Sequence, residues 1–205
     1  MSNKKFELMV TPAGVAVYPR LTEPDTKFNP DGEFKLKLRL SEEDAAKVIA
    51  KIDAIHKENV AAVLKQTKKK PKDATPPYSE VYDDEGNPTG EVEFNFKRKA
   101  TIRMKDGTTF EGKVDLVDAK KNPFPKDKSI YGGSVVKVAA ELVPFATAIG
   151  AGVSLRLKAV QVIKLVEGSG GSGAANAFDE EDGFEAEASG SDFESADAPE
   201  DNEDF

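Results

Sequence analysis

A mainly β fold, a small antiparallel barrel or sandwich carrying one long inserted helix, is predicted for this 205-residue chain by three observations. Apolar and polar residues alternate with period two in several separate stretches, as half-buried strands require. A single stretch holds the helical period over several turns. Strand-like and helix-like segments do not alternate along the chain, which argues against a parallel doubly wound sheet.

In chain order, residues 6–10 and 15–18 read as strands. Phe34-Lys-Leu-Lys-Leu-Arg-Leu40 alternates strictly, with Phe34, Leu36, Leu38 and Leu40 on one face and Lys35, Lys37 and Arg39 on the other. That is a half-buried strand with a cationic outer side. The helix starts at Ser41, whose hydroxyl can accept a free backbone N–H, and Glu42, Glu43 and Asp44 suit the positive end. Val48, Ile49, Ile52, Ile55, Val63 and Leu64 supply its apolar stripe, and it ends near Gln66. A basic, proline-interrupted loop follows, Lys68-Lys-Lys-Pro-Lys72 with Pro76-Pro77. Val92-Glu-Phe-Asn-Phe96 alternates again and runs on to Met104, Asp106-Gly107 supplies a turn, and a strand resumes over 108–117. Residues 92–117 thus read as a long hairpin. Strands at 135–143 and 153–166 complete about seven, and an OB-like barrel is the first expectation.

Charge divides the chain in two. Of 37 acidic residues 13 lie from Gly168 onward, where there is no basic residue, so the first 167 residues carry 29 bases against 24 acids, a net of +5. The expected organisation is a folded domain over 1–167, a flexible Gly/Ser-rich linker over 168–177 and an acidic disordered tail over 178–205 ending in Phe205. Such a tail often only solubilises. Here phenylalanines recur within it, and a terminal ring beside a free carboxylate can enter a basic pocket with an apolar floor. A 38-residue flexible chain reaches about 34 Å, against a radius of gyration of about 15 Å for the body. The tail can therefore reach the body's own cationic face.

Absences narrow the chemistry. With no Cys and only His56, there is no thiol nucleophile and no cysteine- or histidine-rich metal cluster, so neither metal nor cofactor is expected. His56 reads as an ordinary boundary residue, and Asp83-Asp-Glu-Gly86 as a surface turn without the ligand spacing of a calcium loop. No apolar run nears the roughly 18 residues needed to cross a bilayer, and the amino end lacks a signal-peptide core. A soluble cytoplasmic protein without catalytic machinery is expected.

Basic residues follow strand faces and loops: Arg20, Lys27, Lys35, Lys37, Arg39, Lys97, Arg98, Lys99, Arg103 and Lys105. Lysines on an outer strand face commonly serve solubility or edge protection. Together with aromatics they also form the means of binding single-stranded nucleic acid without sequence preference, lysines to phosphates and rings to unstacked bases. Phe94 and Phe96 share a face with Val92 and read as core, while Tyr18, Tyr131 and Phe145 stand beside turn residues and read as stacking candidates.

A body, a glycine linker and an acidic tail closing on Asp204-Phe205 resemble the single-stranded DNA-binding proteins of T7-like bacteriophages. Further motifs run in the same order: Gly32-Glu-Phe-Lys-Leu-Lys-Leu38 before a long helix, Lys69-Lys-Pro-Lys72, Pro77-Tyr78, Glu93-Phe-Asn-Phe-Lys97, Gly132-Gly-Ser134, Val136-Lys-Val138, Leu142-Val-Pro-Phe145 and Thr147-Ala-Ile-Gly-Ala151. The resemblance implies an OB-fold, a homodimer, and a tail that contacts phage replication proteins such as DNA polymerase and helicase-primase and competes with DNA. It implies replication, recombination and repair of phage DNA in the cytoplasm of an infected bacterium. It places Phe145 at the family's aromatic position and Lys97 and Lys137 at basic strand positions. One departure is plain: the loop after Phe145 is shorter, and the chain has no Trp.

The expected DNA-contacting residues are therefore Tyr18, Arg20, Lys35, Lys37, Arg39, Lys97, Lys99, Arg103, Tyr131, Lys137 and Phe145, and those of the partner-binding tail are Asp201, Glu203, Asp204 and Phe205. The competing reading is an acidic-tailed adaptor or chaperone that binds no nucleic acid.

Overall fold

Ten strands and one helix form among the residues that the computed structural model describes, 6–166 apart from 28, 105 and 149. They are β1 (Glu7–Val10), β2 (Gly14–Asp25), β3 (Glu33–Ser41), α1 (Glu42–Thr67), β4 (Tyr78–Tyr82), β5 (Pro88–Lys99), β6 (Thr101–Arg103), β7 (Thr109–Glu111), β8 (Asp115–Val117), β9 (Val135–Thr147) and β10 (Gly150–Lys164). The chain divides into two units, Met1–Ser169 and Gly170–Phe205, and all described residues belong to the first. The linker and tail, with Asp201, Glu203, Asp204 and Phe205, lie outside the described residues, as do Phe28 and Lys105.

Period-two alternation builds the core. Leu36, Leu38 and Leu40 of β3 stand directly opposite Phe96, Phe94 and Val92 of β5, and all six are buried. From the other side, Leu142, Ala140, Val138 and Val136 of β9 face Leu155, Leu157, Val160 and Val162 of β10. One bulge in β10, between Leu157 and Ala159, keeps the later residues pointing inward.

The strand pairing closes on itself. β9 bonds β10 along one edge and β1 and β2 along the other, while β2 pairs with β3, β3 with β5, and β5 with β10. Five strands, β9, β2, β3, β5 and β10, thus form a ring. A ring with an odd number of strands cannot be antiparallel throughout, and here β5 and β10 run parallel, as do β8 and β10. The expected wholly antiparallel arrangement is corrected on that ground.

Three further expectations change. The long hairpin over 92–117 does not form; only β6 and β7 make one, turning at Asp106-Gly107 with Gly107 at φ +87°. β5 pairs instead with β3, β4 and β10. β4, a segment to which the sequence assigns no strand, pairs with β5. Finally, α1 begins at the Ser41 cap, whose Oγ accepts from the Asp44 N–H at 3.3 Å, but buries only Ala45, Val48 and Ile52, with Ile49 and Ile55 alongside. Its 26 residues span about 39 Å, more than the core can cover, and Leu64 is exposed. Among the described residues no helix is long and apolar enough to cross a membrane.

Candidate nucleic-acid interface

Because directly opposite residues in a sheet share a face, the register decides which cations meet. Arg20 of β2 lies opposite Lys35 of β3, Lys35 opposite Lys97 of β5, and Lys97 opposite Arg156 of β10. Four cations therefore form one lateral row across four strands, about 15 Å long at the usual strand spacing. Glu141 of β9 closes it opposite Arg156.

Lys97 and Arg156 of this row line an open groove of about 1020 Å³. Its lining holds five cations, Lys97, Arg98, Lys99, Arg156 and Lys158, against two carboxylates, Glu33 and Glu141. A cleft so biased concentrates anions. Phe145 and Phe6 supply rings within the groove, and the Arg156 guanidinium sits 5.2 Å from the Phe6 centroid.

Phe145 is held in place on two sides. Its ring lies across Gly152, where a Cβ would come within 2.7 Å of the ring's Cζ, so only glycine leaves the space. From α1, the Asn59 amide donates to the carbonyls of Phe145 (2.7 Å) and Gly152 (3.2 Å), which ties the β9–β10 hairpin to the helix.

Most cations of the sheet are already partnered. Lys35 pairs with Asp25, Lys97 with Glu33 at 3.7 Å, and Arg156 and Lys158 with Glu141 at 3.3 and 3.5 Å. Lys37 donates to Glu93 at 2.9 Å, and Arg39 reaches the same carboxylate at 2.7 Å. Burial alone would raise the Glu93 carboxyl, but the hydrogen bonds from Arg39 and Lys37, with their charges, outweigh it and hold it below the ordinary range. The Lys35 ammonium likewise lowers Asp25.

Glu93→Gln is expected to cost about 1 to 2 kcal/mol of stability at neutral pH, since it takes the counter-charge from Lys37 and leaves Arg39 only the more distant Glu91 at 3.6 Å. A carboxyl depressed in the folded state stabilises above its unfolded pKa and loses that contribution as pH falls through its folded one. Urea midpoints of wild type and variant should therefore converge below about pH 4.

The expected residues fall into groups. Lys97, Lys99 and Phe145 line the groove, and Arg20 and Lys35 extend its row. Lys37 and Arg39 share the sheet face but are engaged by Glu93. Arg103 stands on the β6–β7 hairpin, paired with Asp31 at 2.5 Å. Tyr18 is 78% exposed in left-handed backbone at φ +48°, where the β2–β3 register shifts, and is outside the groove lining. Tyr131, in the turn before β9, and Lys137, opposite Gln161 toward the other end of β10, are outside it as well.

Sequence reading passed over Phe6, Arg156 and Lys158. A signal for the last two was present: Val153-Ser-Leu-Arg-Leu-Lys158 alternates as 34–40 does, with Ser154, Arg156 and Lys158 on the outer side. His56 meets Asp73 at 3.0 Å, and Asp83 accepts the N–H groups of Glu85 and Asn87 in the β4–β5 turn. No group of three or more His, Asp or Glu suited to a metal occurs among the described residues.

Comparison with known proteins bears on this groove. The family model for the single-stranded DNA-binding protein of bacteriophage T7 matches residues 13–165, which include the whole ring of strands. The chain belongs to that family.

Among this family's curated members, the single-stranded DNA-binding protein of Enterobacteria phage T3 is 32% identical over 168 residues, 76% of this chain and 72% of that protein. The Escherichia phage T7 protein of the same description is 30% identical over 174 residues, 78% and 74% of the two chains. The crystal structure of gp2.5, a single-stranded DNA-binding protein encoded by phage T7, superposes with a TM-score of 0.69 at 27% identity, covering 89% of this chain and all of that one. The single-stranded DNA-binding protein of bacteriophage Enc34, solved in complex with single-stranded DNA, shares the fold at a TM-score of 0.56 and 13% identity, over 78% of this chain and 88% of that one.

Proposed function

We propose that this protein is a non-catalytic, sequence-independent coat for single-stranded DNA during phage DNA replication, recombination and repair. The observation that carries the reading is the groove in which a lateral row of cations meets the Phe145 ring, in a member of this family. Phosphates would take the cations and bases would stack on the rings, and neither contact depends on sequence. We read the five-strand ring with its one parallel pair as an OB-fold barrel. In that fold the second and third strands and the first and last connecting loops form the oligonucleotide face; here those strands are β3 and β5, and the last connection is the β9–β10 turn beside Phe145.

Family membership and the acidic composition of residues 178–205 support a regulatory tail, in which Asp201, Glu203, Asp204 and Phe205 bind replication proteins such as DNA polymerase and helicase-primase and compete with DNA for the cations. The same membership supports a homodimer acting in the cytoplasm of the infected bacterium. Removing residues 168–205 takes away 13 acidic residues and leaves a body of net +5. The truncated protein should bind single-stranded oligonucleotides more tightly at low salt, with the gain vanishing as salt screens the tail.

Titration of single- and double-stranded oligonucleotides with full-length and truncated protein at two salt concentrations tests DNA binding, strand preference and competition by the tail together. Tighter single-strand binding by the truncated form is the expected result. Equal affinity of both forms at low salt would remove the competition, and a truncated body that retards no oligonucleotide would leave the adaptor reading in its place.

A further inference from the structure

The groove's own cations are largely neutralised by neighbouring carboxylates, whereas a second basic segment beside it is not. α1 ends at Thr67, Lys68 caps it in left-handed backbone at φ +56°, and the chain continues through Lys69, Lys70, Pro71 and Lys72. The four lysines are exposed, and among the described residues none has a carboxylate within ion-pair distance.

This segment is fixed against the groove rather than hanging from the helix. The Thr67 hydroxyl lies within hydrogen-bonding distance of the carbonyls of Val63 (2.9 Å) and Lys69 (3.0 Å), which shapes the turn. The Lys72 carbonyl accepts from the Ala151 N–H, and Ala74 donates back to the Ala151 carbonyl, both at 2.8 Å, so the segment is bridged to the start of β10. His56 of α1 holds the Asp73 carboxylate at 3.0 Å. Farther on, the Pro77 carbonyl accepts from the Asn95 N–H, and Thr75 and Pro77 enter the groove wall. Ala74 reaches the same Gly152 that the Phe145 ring covers. The lysine strap therefore leads into the groove wall, through Ala74 beside Phe145 and on to Thr75 and Pro77.

We infer that residues 68–72 form a phosphate-binding extension of the groove, taking the sugar-phosphate backbone of nucleotides beyond the one stacked on Phe145. This rests on the single-stranded DNA-binding reading above. The physical basis is counterion release. A phosphate that approaches Lys37, Arg39 or Arg156 must displace a carboxylate already in place, so little is released from solution. A phosphate that approaches Lys69, Lys70 or Lys72 displaces only salt ions. The strap carries a larger share of the salt dependence than the sheet lysines do.

The test is a salt series of affinity for an oligo-dT strand, with full-length wild type, the triple variant Lys69→Gln, Lys70→Gln, Lys72→Gln, and a control triple, Lys113→Gln, Lys120→Gln, Lys126→Gln, that removes the same charge away from the groove. Losing three phosphate contacts should flatten the slope of log affinity against log salt by about 2. The gap between wild type and strap variant should therefore narrow roughly 20-fold from 0.05 to 0.2 M salt. The control triple should keep the wild-type slope, and all three proteins should melt at the same temperature. If the strap variant binds with the wild-type slope, or if the control flattens it equally, the strap is not a phosphate site although the DNA-binding reading stands. If wild type itself retains no oligo-dT at low salt with or without its tail, the reading falls, and the strap with it.

Discussion

Replacing Phe94 by alanine should lower the unfolding free energy by about 3 to 5 kcal/mol. The ring is fully buried, lies opposite Leu38 across β3 and β5, and meets the Tyr78 ring of β4 at 5.6 Å between centroids and 44° between planes. Truncation removes the transfer energy of an aromatic side chain and leaves a cavity that closed strand pairing cannot readily collapse. Loss of the tilted Tyr78 contact adds to this. Phe94→Leu retains most of the volume and should cost less. Urea unfolding followed by circular dichroism measures both, and a Phe94→Ala midpoint within error of wild type would mean that β3 and β5 do not face one another in this register. A net stability of 5 to 15 kcal/mol is ordinary for a domain, so this one substitution consumes a large part of it.

Phe145→Ala is expected to weaken binding of single-stranded oligonucleotides by about 1 to 3 kcal/mol, which is about 5- to 150-fold. Unlike Phe94, this ring lies on the outer face of β9, packed across Gly152 and open to the groove. Its removal exposes no core, so the melting temperature should move little while affinity falls. Phe145→Leu separates stacking from simple apolar cover, since leucine fills the place against Gly152 without offering a π face. Affinity close to that of alanine in the leucine variant indicates stacking. Wild-type affinity in both variants would remove Phe145 from the interface, and fluorescence anisotropy with a labelled oligonucleotide decides between these results.

The two phenylalanines also show how far local pattern reaches. Strict alternation in 34–40 and 92–96 assigned Leu36, Leu38, Phe94 and Phe96 to the inside and the lysines between them to the outside, and the burial agrees. The helix was equally legible, from its Ser41 cap to its end beside the lysine run. β4 was not, because Tyr78-Ser-Glu-Val-Tyr82 alternates weakly after a proline-rich stretch and gains its place only by pairing with β5. The hairpin assigned to 92–117 failed for a related reason. Nearness in sequence favours consecutive strands as partners, yet β5 finds its matching apolar faces in β3 and in β10, which is more than fifty residues farther along.

The mainly β class, the one long helix, the inward residues of the main strands and the separation of a basic body from an acidic end were legible in the chain alone, because each follows from composition or from a period of a few residues. Which cations stand together and which are spent depends on folding. Arg20, Lys35, Lys97 and Arg156 become neighbours through register across four strands, and Lys37 is matched to Glu93 over a separation of 56 residues. Alternation tells a side chain which face it occupies. Coulombic pairing acts over a few ångströms of space, and strand register alone sets those distances.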